Sequence, residues 1–239
     1  MRRLHVKVLA SIGGGSAPAY YAYLLGDLQR DAFTRKLAQL ADEYDLDGID
    51  VDLEGKRVDT NYEKFITGLA MTLKSKGKLL TAAVATAYKK RYTDKALEQF
   101  DFINIMSYDK TGPWKPKKGG PHAPYKMAVK DIKYWTHKKG IAKEKLNVGI
   151  PFYGYGFGPG APTDMSFGEI INTYKDAQNN DEVTVPEGGT LYYNGILTIK
   201  NKTSLALKKA GGIMIWQLLH DAQGEYSLLN AVNEVINQK

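Results

Sequence analysis

The residues with the most chemical potential fall in one run, Asp47-Gly48-Ile49-Asp50-Val51-Asp52-Leu53-Glu54. In a strand, alternate side chains share a face. Asp50, Asp52 and Glu54 then point together, while Ile49, Val51 and Leu53 point to the opposite side. Three acids on one face repel one another and are costly to bury unless they are hydrogen-bonded or used. Their repulsion is expected to raise at least one pKa, which a carboxylic acid needs if it is to donate a proton near neutral pH. Glu54, last in the run, would stand at the C-terminal rim of a parallel strand, where barrel active sites lie. Other chemistries fit parts of the pattern. Glu43-x-Asp45-x-Asp47-Gly48, with Glu54 at the twelfth position, approximates a calcium-binding EF-hand loop, but Glu stands for the first Asp and Asp50 for the usual apolar residue. Two further readings are a magnesium-type site on Asp50, Asp52 and Glu54 and an acid cluster with a structural role only.

The elements that must hold such a strand are visible in the hydrophobic periodicity. Short β-like runs alternate with amphipathic stretches, the pattern of parallel α/β architecture. Strands are expected at 6–11, 48–53, 79–85, 102–106, 146–152 and 211–217. Helices are expected at 31–44, where Phe33, Leu37, Leu40, Ala41 and Tyr44 recur at helical spacing, and at 62–73, 125–138 and 227–236. Residues 174–203 are a polar loop with a small hairpin insertion at about 181–203, whose strands flank the tight-turn signal Tyr193-Asn194-Gly195. There is no internal repeat and no low-complexity linker. Six β/α units form an open sheet or an incomplete barrel; an eight-stranded barrel needs two more.

Four motifs occur in a telling order: Ser11-Ile12-Gly13-Gly14, the acid run with Asp47, Asp50, Asp52 and Glu54, Met106-Ser107-Tyr108-Asp109, and Gly211-Gly212-Ile213-Met214-Ile215-Trp216. On these the chain resembles glycoside hydrolase family 18, the family of chitinases and endo-β-N-acetylglucosaminidases, whose signature is Asp-x-x-Asp-x-Asp-x-Glu. The resemblance covers nearly the whole chain. It implies an α/β fold of the TIM-barrel (β/α)8 type with about six β/α units present, and a single catalytic domain over residues 1–239.

The resemblance also implies an activity: retaining hydrolysis of β-1,4-linked N-acetylglucosamine polymers, in which the substrate's own acetamido oxygen attacks the anomeric carbon. No cofactor or metal is implied. Glu54 would protonate the departing oxygen and later activate water. Asp52 would hold the acetamido N–H, with Asp50 behind it influencing the shared proton. Tyr108 would donate a hydrogen bond to the acetamido oxygen, and Met106 shares its strand face. Asp109 would contact the sugar next to the scissile bond, Trp216 would form the floor beneath it, Trp114 would stack the leaving-group sugar, and Tyr153 would line the cleft. Ser11 and the glycines after it are expected to shape a loop rather than perform chemistry. The alternatives are an endo-β-N-acetylglucosaminidase acting on the N-glycan core and a non-catalytic carbohydrate-binding relative.

Family barrels carry two β/α units before the Ser-x-Gly-Gly strand, so the chain is expected to be N-terminally incomplete. Open barrel edges would then favour self-association. With only a hairpin before the last strand, the groove is expected to be shallow and suited to internal cleavage.

Composition bounds the rest. The 239 residues suffice for one sizeable core, and 43% hydrophobic with 25% charged residues is ordinary for a soluble globular protein. The absence of cysteine excludes disulfides and thiolate metal sites. Met1-Arg2-Arg3 resembles the charged end of a signal peptide, but His5 and Lys7 interrupt the apolar stretch that should follow. No run approaches 18 apolar residues, so no membrane span is expected; a secreted or periplasmic location is implied by the resemblance alone. The net charge of +7 comes largely from lysines, many between residues 110 and 145, and reads as a solvated surface. The sixteen tyrosines follow no RNA-binding signature, so nucleic acid is not expected as a partner. His5, His122, His137 and His220 have no metal-ligand spacing and read as structural or exposed, with His122 near the cleft.

Overall fold

The computed structural model describes residues 6–238; Met1, Arg2, Arg3 and His5 lie outside the described residues. The chain divides into two compact units, Met1–Asn104 and Ile105–Lys239.

Unit one opens with β1 (Leu9–Gly13), the short α1 (Tyr21–Leu25) and α2 (Arg30–Glu43). It continues with β2 (Gly48–Asp52), α3 (Tyr62–Lys74), β3 (Leu79–Val84), α4 (Asp94–Glu98) and β4 (Phe102–Ile105), whose last residue enters unit two. The strands follow chain order, β1-β2-β3-β4. In the parallel registers of β1, β2 and β3, Ser11 stands opposite Asp50 and Asp50 opposite Thr81. The periodicity expected for the helices is realised: α2 buries Thr34, Leu37, Ala38 and Ala41, and α3 buries Tyr62, Phe65, Ile66, Leu69, Ala70 and Leu73. Phe33 of α2 stacks on Phe65 of α3 with centroids 5.5 Å apart. Each of the larger buried side chains contributes about 1.5–3 kcal/mol of apolar burial. Ile49, Val51 and Leu53 are fully buried while Asp50, Asp52 and Glu54 are only partly so, which is the alternation a strand requires. Because β2 pairs on both sides, the calcium-loop reading of this segment fails.

Unit two begins with α5 (Tyr125–Lys133), which runs into a π-helical turn (Tyr134–Lys138), and β5 (Leu146–Pro151). Next come β6 (Tyr153–Phe157), β7 (Asp164–Ser166), α6 (Phe167–Thr173), β8 (Glu182–Thr184) and β9 (Thr190–Tyr192). It ends with α7 (Ile196–Lys209), β10 (Gly212–Trp216) and α8 (Leu228–Asn237). β10 lies parallel to β5 with Trp216 opposite Pro151. A second, antiparallel sheet has the order β7-β6-β9-β8. Phe152, Phe167, Ile170, Leu191, Ile199 and Leu228 join the two sheets and three helices in one apolar core.

The expected hairpin is displaced. Its strands are β8 and β9, and its turn is residues 185–189, where Gly188 takes φ +96°, Val185 N donates to the Gly189 carbonyl and Gly188 N donates to the Val185 carbonyl. Asn194-Gly195, expected at the turn, instead starts α7. The Asp181 carboxylate accepts from Gly195 N at 2.8 Å and from Thr198 Oγ1 at 2.6 Å, supplying free helix N–H and hydroxyl donors with a partner. The apolar run Ile196-Leu197-Thr198-Ile199 resembles a strand locally, but Ile199, Lys202, Thr203 and Ala206 are buried at helical spacing. The segment between β5 and β10 therefore holds a four-stranded sheet and the helices α6 and α7, not a hairpin alone.

Candidate active site

In unit one the acid strand is organised from its inner end outwards. Ser11 Oγ donates to Asp50 Oδ2 at 2.9 Å, and Thr81 Oγ1 donates to Asp50 Oδ1 at 2.5 Å. Both carboxyl oxygens are thus held by hydroxyls from the flanking strands. Burial pushes the Asp50 carboxyl up, and the two hydroxyls oppose that shift. Asp52, next outward, has no such clamp: among the described residues its buried Oδ1 finds no hydrogen-bond partner. Burial first, then the charges of Glu54 and Asp50, push its carboxyl up to about 7. The expected pKa rise occurs, with desolvation rather than repulsion as its main cause. Behind these acids, the buried rings of Tyr62 and Tyr92 meet edge to face, centroids 5.8 Å apart.

Glu54 follows the strand in extended conformation, φ −120° and ψ 157°. Its side chain borders a cavity of about 250 Å³, also lined by Gly15, Gly55, Lys56, Arg57 and Tyr88. Two glycines shape this region. Gly13, at φ +110°, approaches so closely that a Cβ would lie 2.2 Å from the Asp52 carbonyl oxygen, and a Cβ on Gly15 would lie 3.3 Å from Glu54 Oε1. Arg57 closes one side by donating through Nε and Nη2 to the Ala17 carbonyl.

In unit two the Met106-Ser107-Tyr108-Asp109 motif meets the second sheet. Tyr108, Ala123 and Tyr153 form a buried cluster against Met106, Tyr155 and Met214. Gly149 leaves room for the Tyr108 ring, since a Cβ there would lie 2.8 Å from it. The Tyr108 hydroxyl lies 3.8 Å from Met214 Sδ. Asp109 takes a left-handed backbone, φ 60°, and its Oδ1 accepts from the Tyr153 hydroxyl at 2.5 Å. His122 is fully buried behind it, with Nδ1 3.5 Å from Asp109 Oδ1 and Nε2 3.2 Å from the Tyr153 carbonyl. Burial and the Asp109 charge raise the pKa of both Tyr153 and Tyr155, keeping these hydroxyls protonated.

Of the three tryptophans, Trp135 is buried and the two expected at the site are exposed. Trp114 is 53% exposed, with its ring edge-on to Tyr155 at 5.7 Å. Trp216, at the end of β10, is 51% exposed and is followed by a cis peptide bond.

Within unit one the structure brings Asp50, Asp52 and Glu54 together. Within unit two it brings together Met106, Tyr108, Asp109 and Tyr153, with Trp114 joined through Tyr155. Sequence reasoning missed Thr81, Tyr88, Tyr155 and Lys202, and did not foresee that Ser11 holds Asp50. The missing signal for Ser11 and Thr81 is register: both stand level with Asp50 on neighbouring parallel strands.

The sequence model of glycosyl hydrolases family 18 matches residues 1–221. Among solved structures, the chain is 37% identical to the GH18 chitinase ChiB from the chitin utilization locus of Flavobacterium johnsoniae, at a TM-score of 0.89 over 98% of this chain and 75% of that one. It is 29% identical to a chitinase from Bacteroides thetaiotaomicron, at a TM-score of 0.83 over 100% of this chain and 78% of that one. It is also 26% identical to the probable chitinase 2 of Drosophila melanogaster, over 90% of this chain but only 56% of the relative. The chain thus spans little more than half of that curated relative's length. The fold is α/β of the TIM-barrel type, with six β/α strands among the described residues. The match runs from the first strand past Trp216 with the motifs in order on the same fold, and so the chain belongs to glycosyl hydrolases family 18.

Proposed function

We propose that this chain carries out retaining, substrate-assisted hydrolysis of β-1,4-linked N-acetylglucosamine polymers. The observation that carries the reading is the graded acid strand: a clamped Asp50, an unclamped Asp52 held at about 7, and Glu54 at the open end beside a cavity. The likeness to chitinase relatives over 90–98% of the chain supports the substrate class.

In this mechanism Glu54 gives its proton to the glycosidic oxygen as the bond to the anomeric carbon breaks. The acetamido oxygen of the same sugar forms a bond to that carbon from the opposite face, giving an oxazolinium ion. Asp52, as carboxylate, accepts the acetamido N–H and stabilises the developing positive charge. A proton shared with Asp50 lets Asp52 rest neutral between two other acids and ionise when that charge appears. Water then attacks the anomeric carbon while the Glu54 carboxylate takes its proton and the bond from that carbon to the acetamido oxygen breaks, restoring the acetamido group, so two inversions give retention. For unit two the proposed roles are Tyr108 as donor to the acetamido oxygen, Asp109 and Tyr153 as contacts to the sugar, and Trp216, Trp114 and Met106 as apolar contact surface.

The test is hydrolysis of N-acetyl-chitotetraose by the chain and by Glu54→Gln, with binding measured in parallel and the anomer followed by NMR. β-Anomeric product that disappears in the variant supports the reading. Binding without turnover in both proteins replaces it with a non-catalytic carbohydrate binder. Cleavage confined to N-glycan cores would move it to the endo-β-N-acetylglucosaminidases.

A further inference from the structure

The mechanism leaves one deeply buried charge unused. Lys202, on α7, has no exposed surface, yet its ammonium sits among polar groups. Nζ donates to the Ala123 carbonyl at 2.7 Å and to Asn194 Oδ1 at 2.7 Å. Burying an ammonium is expensive, and the helix could pack an apolar side chain of that length at lower cost. What an apolar side chain cannot do is hold the Ala123 carbonyl.

Ala123 directly follows His122, the ring lodged against Asp109 and the Tyr153 carbonyl. Residues 109–123 form a closed loop: Lys110 N donates to the His122 carbonyl at 2.9 Å, and Thr111 Oγ1 to the Gly120 carbonyl at 2.6 Å. This loop carries Trp114. Its incoming end is also tied to a buried charge, since Ser107 Oγ donates to Asp131 Oδ2 at 2.7 Å. Asp131 and Asp181 are the acids whose charges act on Lys202, opposing the downward pull of burial. Both ends of the segment are therefore fastened to buried groups of opposite charge on α7 and α5.

We propose that Lys202 is a positioning residue for substrate binding: through the Ala123 carbonyl it fixes the closing end of the 109–123 loop, and through the Lys110–His122 backbone bond it holds Asp109 and Trp114 in place. The inference rests on the reading of Asp109 and Trp114 as sugar contacts. It assigns Lys202 to binding affinity rather than to the chemical step.

The test compares the chain with Lys202→Met, which keeps the apolar stem and removes the donor. Lys202→Gln, neutral and too short to make both bonds, serves if the Met variant does not fold. KM and kcat on N-acetyl-chitotetraose are measured well below the melting temperature, alongside hydrogen exchange by mass spectrometry. The expected result is a KM raised about tenfold with kcat within about twofold, since uniform binding is lost. Exchange should be about tenfold faster across residues 109–123, with α2 and α3 unchanged. A variant that merely melts earlier, with KM and loop exchange as in the parent chain, would overturn the proposal. If the parent chain neither binds nor cleaves chitotetraose, the glycosidase reading fails. Loop exchange then decides separately: selective acceleration upholds Lys202 as the loop's anchor, and uniform exchange sinks it.

Discussion

Thr81 Oγ1 lies 2.5 Å from Asp50 Oδ1, and the two residues stand opposite each other in the parallel register of β3 and β2. This places a hydroxyl donor on a carboxyl whose pKa burial pushes up and this hydrogen bond pulls back down. Thr81→Val keeps the shape and removes the donor, so the Asp50 carboxyl should rise further. A proton retained on Asp50 is less available for sharing with Asp52. The acidic limb of the pH–kcat profile should move upward, with kcat down about tenfold and stability lowered by about 1–3 kcal/mol. A pH profile superimposable on the parent's would remove the clamp from the mechanism.

Asp52 makes a prediction of opposite sign for stability. Its carboxyl is held at about 7 in the folded chain, against an ordinary value of 3.8. Between pH 4 and 7 the folded chain therefore keeps a proton that the unfolded chain releases, and this group's contribution to stability falls as pH rises through that window. Asp52→Asn should be more stable than the parent at pH 8, by about 2–4 kcal/mol, with the advantage gone near pH 4. Its kcat should fall at least about a hundredfold, as for loss of a group that stabilises transition-state charge. Urea unfolding at the two pH values is the measurement, and an unchanged difference between them would contradict the assignment.

Tyr153 should affect affinity. Its hydroxyl donates to Asp109 at 2.5 Å, and the left-handed backbone of Asp109 aims that carboxylate at it. Tyr153→Phe removes one charge-assisted bond, worth about 1.5–3 kcal/mol, without emptying the space. We expect KM for chitotetraose to rise about tenfold or more, with near-parent stability because Asp109 remains partly solvated. Calorimetric binding unchanged from the parent would show that Asp109 needs no such partner.

How far these relationships were legible in the sequence depended on their range. β2 announced itself because alternation over eight residues is local, and α2 and α3 did so because apolar residues recur along one face. The clamp on Asp50 did not, since Ser11 and Thr81 lie 39 and 31 positions from it along the chain and meet it only through strand register. The α7 error has a similar source. Asn194-Gly195 is a turn signal in isolation, but the Asp181 carboxylate, fourteen positions away from Gly195, converts it into a helix start. The short helices α1 and α4 span five residues each, too few for a periodicity to show. Lys202 was invisible because a lysine in a sequence carries no mark of burial.

That buried lysine supplies the last prediction. Burial brings the Lys202 ammonium down to about 7 from its ordinary 10.5, with Asp181 and Asp131 opposing the shift. Between those values the unfolded chain holds a proton that the folded chain lacks. This group's contribution to stability therefore rises with pH from about 7 to about 10, by at most about 1.4 kcal/mol per unit. Lys202→Met has no such group, so the stability of the parent relative to the variant should climb across that interval. Below pH 6 the parent carries the full penalty of a buried ammonium, and the variant should compare most favourably there. Urea unfolding at pH 6, 7.5 and 9 reads this directly. Curves that stay parallel would show that Lys202 keeps its charge throughout, with the Ala123 and Asn194 oxygens and the two acids solvating it as well as water does.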